Sequence, residues 1–140
     1  MKIARYLLIA TAIFICLQWK AQAADVKVIA NPSVSASAVS ADDLKDVFLE
    51  NTDSVAGSHV EPVLLKGGPV HEAFLHEYVG KGDSVLETYY RSLVFSGKGS
   101  MPRAFSSDAE VVAYVAKTRG AIGYVSGATD TAGVKVLSVK

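Results

Sequence analysis

The sequence predicts an α/β domain whose sheet is mixed, mostly parallel and flanked by helices. Short apolar runs of strand length alternate along the chain with longer stretches of helical periodicity. Glycine-rich turns punctuate that alternation, and in such sheets ligands sit beyond the carboxyl ends of the strands, where these turns fall. Val60 to Gly80, VEPVLLKGGPVHEAFLHEYVG, condenses the pattern into a strand, a glycine turn and a helix.

The first residues stand apart from this pattern. Lys2 and Arg5 precede an apolar run from Tyr6 to Leu17, followed by Gln18, Lys20 and Ala21-Gln22-Ala23. That is the charged start, apolar middle and small-residue cleavage site of a secretory signal peptide, with the cut expected after Ala23. The apolar run is shorter than the roughly 20 residues of a membrane span. The expected mature chain is Ala24 to Lys140, or 140 − 23 = 117 residues, one domain of ordinary size.

Within that domain, Val26 to Ala30 is a strand ended by Asn31-Pro32, and Ser33 to Ser40 is a serine-rich loop. Ser40 with Asp43 three residues later is a helix-start signature, and Leu44, Val47, Phe48 and Leu49 give a helix from about Ala41 to Glu50 one apolar face. Asn51 to Ser58 reads as loop. Val63-Leu64-Leu65 fits a buried strand, and Lys66-Gly67-Gly68 turns the chain into a helix opened by Pro69. In that helix Val70, Ala73, Phe74, Tyr78 and Val79 fall at helical spacing, while Glu72, His76 and Glu77 face water. Asp83 or Ser84 caps a third helix with Val85, Leu86, Tyr89, Tyr90, Leu93 and Val94 as its apolar residues. After the glycine-rich loop Ser96 to Pro102, Ser106 or Ser107 caps a fourth, with Asp108 and Glu110 in its first turn and Lys117 and Arg119 in its last. Ala121 to Ser126 and Val134 to Val139 are the final strands.

Composition excludes several classes of function. Cys16, the one cysteine, lies in the expected signal, which leaves the mature domain no disulfide, thiolate metal site or cysteine nucleophile. Lys2, Arg5 and Lys20 leave with it, taking the balance from 14 basic against 14 acidic residues to 11 against 14, a net −3. A weakly acidic domain without a basic cluster is a poor partner for nucleic acid. His71 and His76 are five apart and point away from each other on a helix, unlike the paired histidines of a zinc hydrolase, so no metal site is expected. No serine stands in a Gly-x-Ser-x-Gly setting and no carboxylate pair is distinguished, so the chain carries no catalytic signature and no cofactor is expected. Gly97-Lys98-Gly99-Ser100 lacks P-loop spacing and follows a helix rather than a strand.

One stretch does suit a ligand. A helix that starts straight out of a glycine turn presents unpaired N–H groups and the positive end of its dipole to an anion. The same residues also serve as a plain strand-to-helix connection.

Asp108-Ala-Glu-Val-Val-Ala-Tyr-Val-Ala-Lys-Thr-Arg-Gly-Ala-Ile-Gly-Tyr-Val-Ser126 resembles the late segment of the periplasmic phosphate-binding proteins of ABC transporters. There a helix with an Ala-Tyr-Val core runs into a Pro-Gly-(Ala/Ser)-Ile-Gly-Tyr-Val strand; this chain has Arg119 where proline is frequent. Val28-Ile-Ala-Asn-Pro32 and Asp43 to Leu49 resemble the family's Val-Val-Asn-Pro strand and Leu-x-x-Ile-Phe-x-Gly helix, and Val55 stands nearest the family's tryptophan. The resemblance implies a single lobe of a two-lobed periplasmic-binding-protein-like fold, with no counterpart of the first lobe. It also implies that Lys66 lies beside the family's phosphate-holding arginine. Gly68 falls on the glycine before the serine ligand, Pro69 on that serine, Val70 on the next glycine and His71 on the threonine.

Two readings follow. One is an exported, non-enzymatic solute-binding-like protein, periplasmic or secreted, that holds phosphate or another small anion weakly through Lys66, Gly67, Gly68, Val70 and His71. The other is a ligand-free interaction module that keeps the scaffold and contacts an envelope protein or another copy of itself.

Overall fold

The computed structural model describes residues 25–140. The expected signal segment, its cleavage site and Cys16 lie outside the described residues. The chain opens with β1 (Val26–Ala30), β2 (Ala38–Val39), α1 (Ala41–Phe48), β3 (Ser54–Val55), β4 (Ser58–His59) and β5 (Glu61–Leu65). It continues through α2 (Pro69–Phe74), α3 (Asp83–Phe95), β6 (Arg103–Phe105), α4 (Asp108–Lys117), β7 (Ala121–Ser126) and β8 (Lys135–Val139). A single π-helical turn, Leu75–Val79, carries α2 on to Gly80.

Six strands form one sheet in the order β2–β8–β1–β7–β5–β6, and β3 and β4 form a separate hairpin. Three of the five pairings in the large sheet are parallel, β2 with β8, β7 with β5 and β5 with β6. Both antiparallel pairings run through β1, to β7 and to β8. The sheet is mixed and mostly parallel, as the alternation of strands and helices predicts.

Helices cover both faces, and adjacent residues of β7 show how. Gly123 faces α4: a Cβ there would come within 2.8 Å of Val63 Cγ2 and 3.1 Å of Val111 Cγ1, so only glycine lets α4 approach this closely. Tyr124 points the other way, its ring stacked 3.8 Å from that of Phe74 on α2 and edge-on to Phe48 of α1. Ala121 to Val125 are all buried, the two-sided burial that a continuous apolar strand implies.

The buried side chain of Asn31 satisfies the end of α4. Its Nδ2 donates to the carbonyls of Val115 (2.8 Å) and Ala116 (3.1 Å), and its Oδ1 accepts from the Ser33 N–H. Ser40 and Ser107 cap α1 and α4, accepting from the N–H groups of Asp43 and Glu110. On α3 the buried residues are Leu86 and Tyr90, whereas Val85 and Val94, expected on its apolar face, are exposed. Neither Asp83 nor Ser84 caps that helix; Gly82 takes the N-cap position without a side-chain bond. The hydroxyls of Tyr89 and Tyr90 donate to the carbonyls of Leu49 and Phe48, tying α3 to the end of α1. β2 and β3 lie in stretches expected as loop, β4 begins at the end of one, and β6 occupies residues 103–105, for which no element is expected.

Candidate functional site

The turn between β5 and α2 lies at the carboxyl end of β5, beside β6 and the start of α3. Lys66 to Pro69 are exposed and Val70 is half-buried. The Lys66 N–H is committed to the sheet, donating to Phe105 O at 2.9 Å, while its ammonium has no ion-pair partner among the described residues. Gly68 is the N-cap of α2 with φ 95°, a conformation that only glycine adopts cheaply, and it carries no capping side chain. Pro69 follows as the first helical residue, so the N–H groups left at this helix start are those of Val70 and His71.

His71 is only 2% exposed, and its ring belongs to the core rather than to the turn surface. Nδ1 meets the Tyr124 hydroxyl and Nε2 lies 2.9 Å from Asp83 Oδ1. The Leu65 N–H donates to the same hydroxyl oxygen at 3.1 Å. Asp83, as a carboxylate, accepts from Nε2–H of His71, and the Tyr124 hydroxyl, which already accepts from the Leu65 N–H, pairs with Nδ1. Burial pushes the Tyr124 phenol well above the ordinary tyrosine range, against the opposing pull of the Leu65 N–H, which keeps it a donor. The chain Leu65–Tyr124–His71–Asp83 thus links β5, β7, α2 and α3 behind the turn.

A cleft of about 250 Å³ opens next to the turn, between α3 and the ends of β5 and β6. Lys66, His71, Asp83 and Glu87 line it together with the apolar Leu64, Met101, Pro102 and Ala104. Asp83 is engaged by His71, and Glu87 by Arg91 one helical turn further on. Among the described residues no three His, Cys, Asp or Glu side chains group as metal ligands, and no helix is long and apolar enough to cross a membrane.

Solved structures share this fold. The ABC-type phosphate transport receptor from Vibrio cholerae superposes with a TM-score of 0.61 at 14% identity, over 83% of this chain and 46% of its own. PstS from Borrelia burgdorferi superposes with a TM-score of 0.59 at 15% identity, over 84% of this chain and 47% of its own. The fold is that of a phosphate-transport receptor lobe. This chain spans less than half the length of either receptor, as the resemblance to one lobe of two implies. No protein-family model and no curated protein sequence matches it.

Within this receptor-like lobe, Lys66, Gly67, Gly68 and Val70 are contiguous on one exposed turn, and His71 supports that turn from beneath. The sequence suggests His71 as an anion contact, and the structure buries its ring against Tyr124 and Asp83. A signal for the burial of His71 was present, since it precedes Phe74 by three and Leu75 by four residues and so shares their face. Its partners Tyr124 and Asp83 come from other elements, at separations that no local pattern encodes.

Proposed function

We propose that this protein is an exported, non-enzymatic solute-binding-like domain that takes a small anion, phosphate-like in charge, on the Lys66–His71 turn. The observation that carries this reading is an ammonium, without an ion-pair partner among the described residues, beside an open glycine turn at the carboxyl end of a strand. The likeness to transport receptors supports a binding protein rather than an enzyme. Lys66 supplies a point charge, Gly67 and Gly68 let an ion approach the backbone, and Val70 and His71 contribute N–H groups. A single lobe does not close over its ligand, so affinity is low, in the millimolar to high-micromolar range by order of magnitude. Calorimetric titration of the purified protein with inorganic phosphate tests this. Saturable heat that disappears in Lys66→Ala supports the reading, and a folded protein that gives no heat at millimolar phosphate overturns it.

A second reading, an interaction module, is favoured by large apolar side chains left in water on α3 and the loop after it. Phe95 is 92% exposed, Val94 51% and Met101 48%. An envelope protein or a second copy of the chain is the partner under this reading. A molar mass in solution that rises with concentration, or co-purification of one envelope protein at fixed stoichiometry, supports it; a monomer at every concentration without a partner counts against it.

A further inference from the structure

The geometry points to a small monoanionic amphiphile, a carboxylate with a short apolar tail, as the ligand class of the cleft beside Lys66. This rests on the anion reading above and goes further in naming what the anion is attached to. The cleft of about 250 Å³ has room on the order of eight water volumes at ~30 Å³ each. An acetate-sized ion at the turn leaves most of that space to water lying against Met101, Pro102 and Ala104. A tail running from Lys66 along these side chains removes both its own apolar surface and theirs from water.

Charge selects the head group. Asp83 pairs with the His71 ring and Glu87 with Arg91, and Lys66 is the one lysine or arginine of the lining, with no ion-pair partner among the described residues. One free positive charge facing two carboxylates favours a monoanion and disfavours a dianion. The tail has no polar partner to satisfy where Leu64 and Ala104 pair across β5 and β6.

NMR titration of the amides of Gly67, Gly68, Met101 and Ala104 tests the proposal, with acetate, hexanoate, hexanol and inorganic phosphate as probes. Each fully buried methylene contributes about fourfold in affinity, so hexanoate is expected to bind at least tenfold tighter than acetate. Hexanoate shifts all four amides, whereas acetate and phosphate shift only the glycines. Lys66→Ala weakens hexanoate and acetate alike. Ala104→Phe, a change at an exposed strand position, fills the groove and weakens hexanoate about tenfold while leaving acetate unchanged. Equal affinity for acetate, phosphate and hexanoate overturns this inference and leaves the anion reading standing. No response to any of the anions overturns both, and hexanol binding as well as hexanoate removes the role of the charge.

Discussion

Replacing Tyr124 by Phe deletes one oxygen from the centre of the molecule and keeps the ring that stacks on Phe74. Two polar groups then lose a partner: the Leu65 N–H, 3.1 Å away, and Nδ1 of His71. Both residues are nearly inaccessible, with Leu65 5% and His71 2% exposed, so water reaches neither group without local opening. A buried group left unpaired costs about 1 to 3 kcal/mol, and two such groups give ~2 to 6. The lower half of that range is expected, because His71 keeps its bond to Asp83. Urea unfolding at neutral pH, followed by tryptophan-independent circular dichroism, reads the change as a drop in midpoint with an unaltered slope. A double-mutant cycle with His71→Ala isolates the shared bond, and a coupling above ~0.5 kcal/mol is expected. A loss below about 0.5 kcal/mol for Tyr124→Phe, or strict additivity in the cycle, refutes the proton chain inferred from the geometry.

Two further predictions concern strain and charge away from that chain. The β3–β4 hairpin turns through Ala56 and Gly57 with φ of 49° and 81°, a two-residue turn that favours Asn-Gly; Ala56→Asn is expected to stabilise the protein by about 0.5 to 1 kcal/mol. Its melting temperature rises by roughly 2 to 4 °C, and an unchanged or lower value contradicts the turn assignment. Burial holds the Glu50 carboxyl above the ordinary glutamate value of 4.5, against a backbone hydrogen bond from Ser100. The folded state therefore keeps this proton more tightly than the unfolded chain, and the contribution is present below pH 4.5 and lost as pH rises through the raised value. Glu50→Gln is expected to gain stability relative to the parent on going from pH 4 to pH 7, and thermal melts at the two pH values showing the opposite trend reject that sign.

The sequence resolves the elements that carry their own periodicity. β1 and β7 have the boundaries expected of them, and Ser40 and Ser107 cap as their spacing to the first-turn acids predicts. What stays hidden is structure whose reason lies elsewhere in the chain. β2 has two residues and β6 three, too few to show alternation, and each becomes a strand only because β8 or β5 lies alongside. Val85 and Val94 have the right spacing for burial on α3, but nothing among the described residues covers them fully. At the candidate site the glycine turn was legible from Lys66-Gly67-Gly68-Pro69. The tie between His71, Tyr124 and Asp83 was not, because it depends on the relative placement of three elements.

The position of β1 has a consequence for the order in which the molecule forms. This first strand lies between β7 and β8, its partners about a hundred residues away, with Val26 opposite Ser126 and Val28 opposite Leu137. Such pairings carry a large loop-closure cost and slow the search for the native sheet. During synthesis Val26 to Ala30 emerges early as an apolar segment with no native edge to join. One of its edges waits for Ala121 to Ser126 and the other for Leu137. The end of the chain thus decides when its beginning folds.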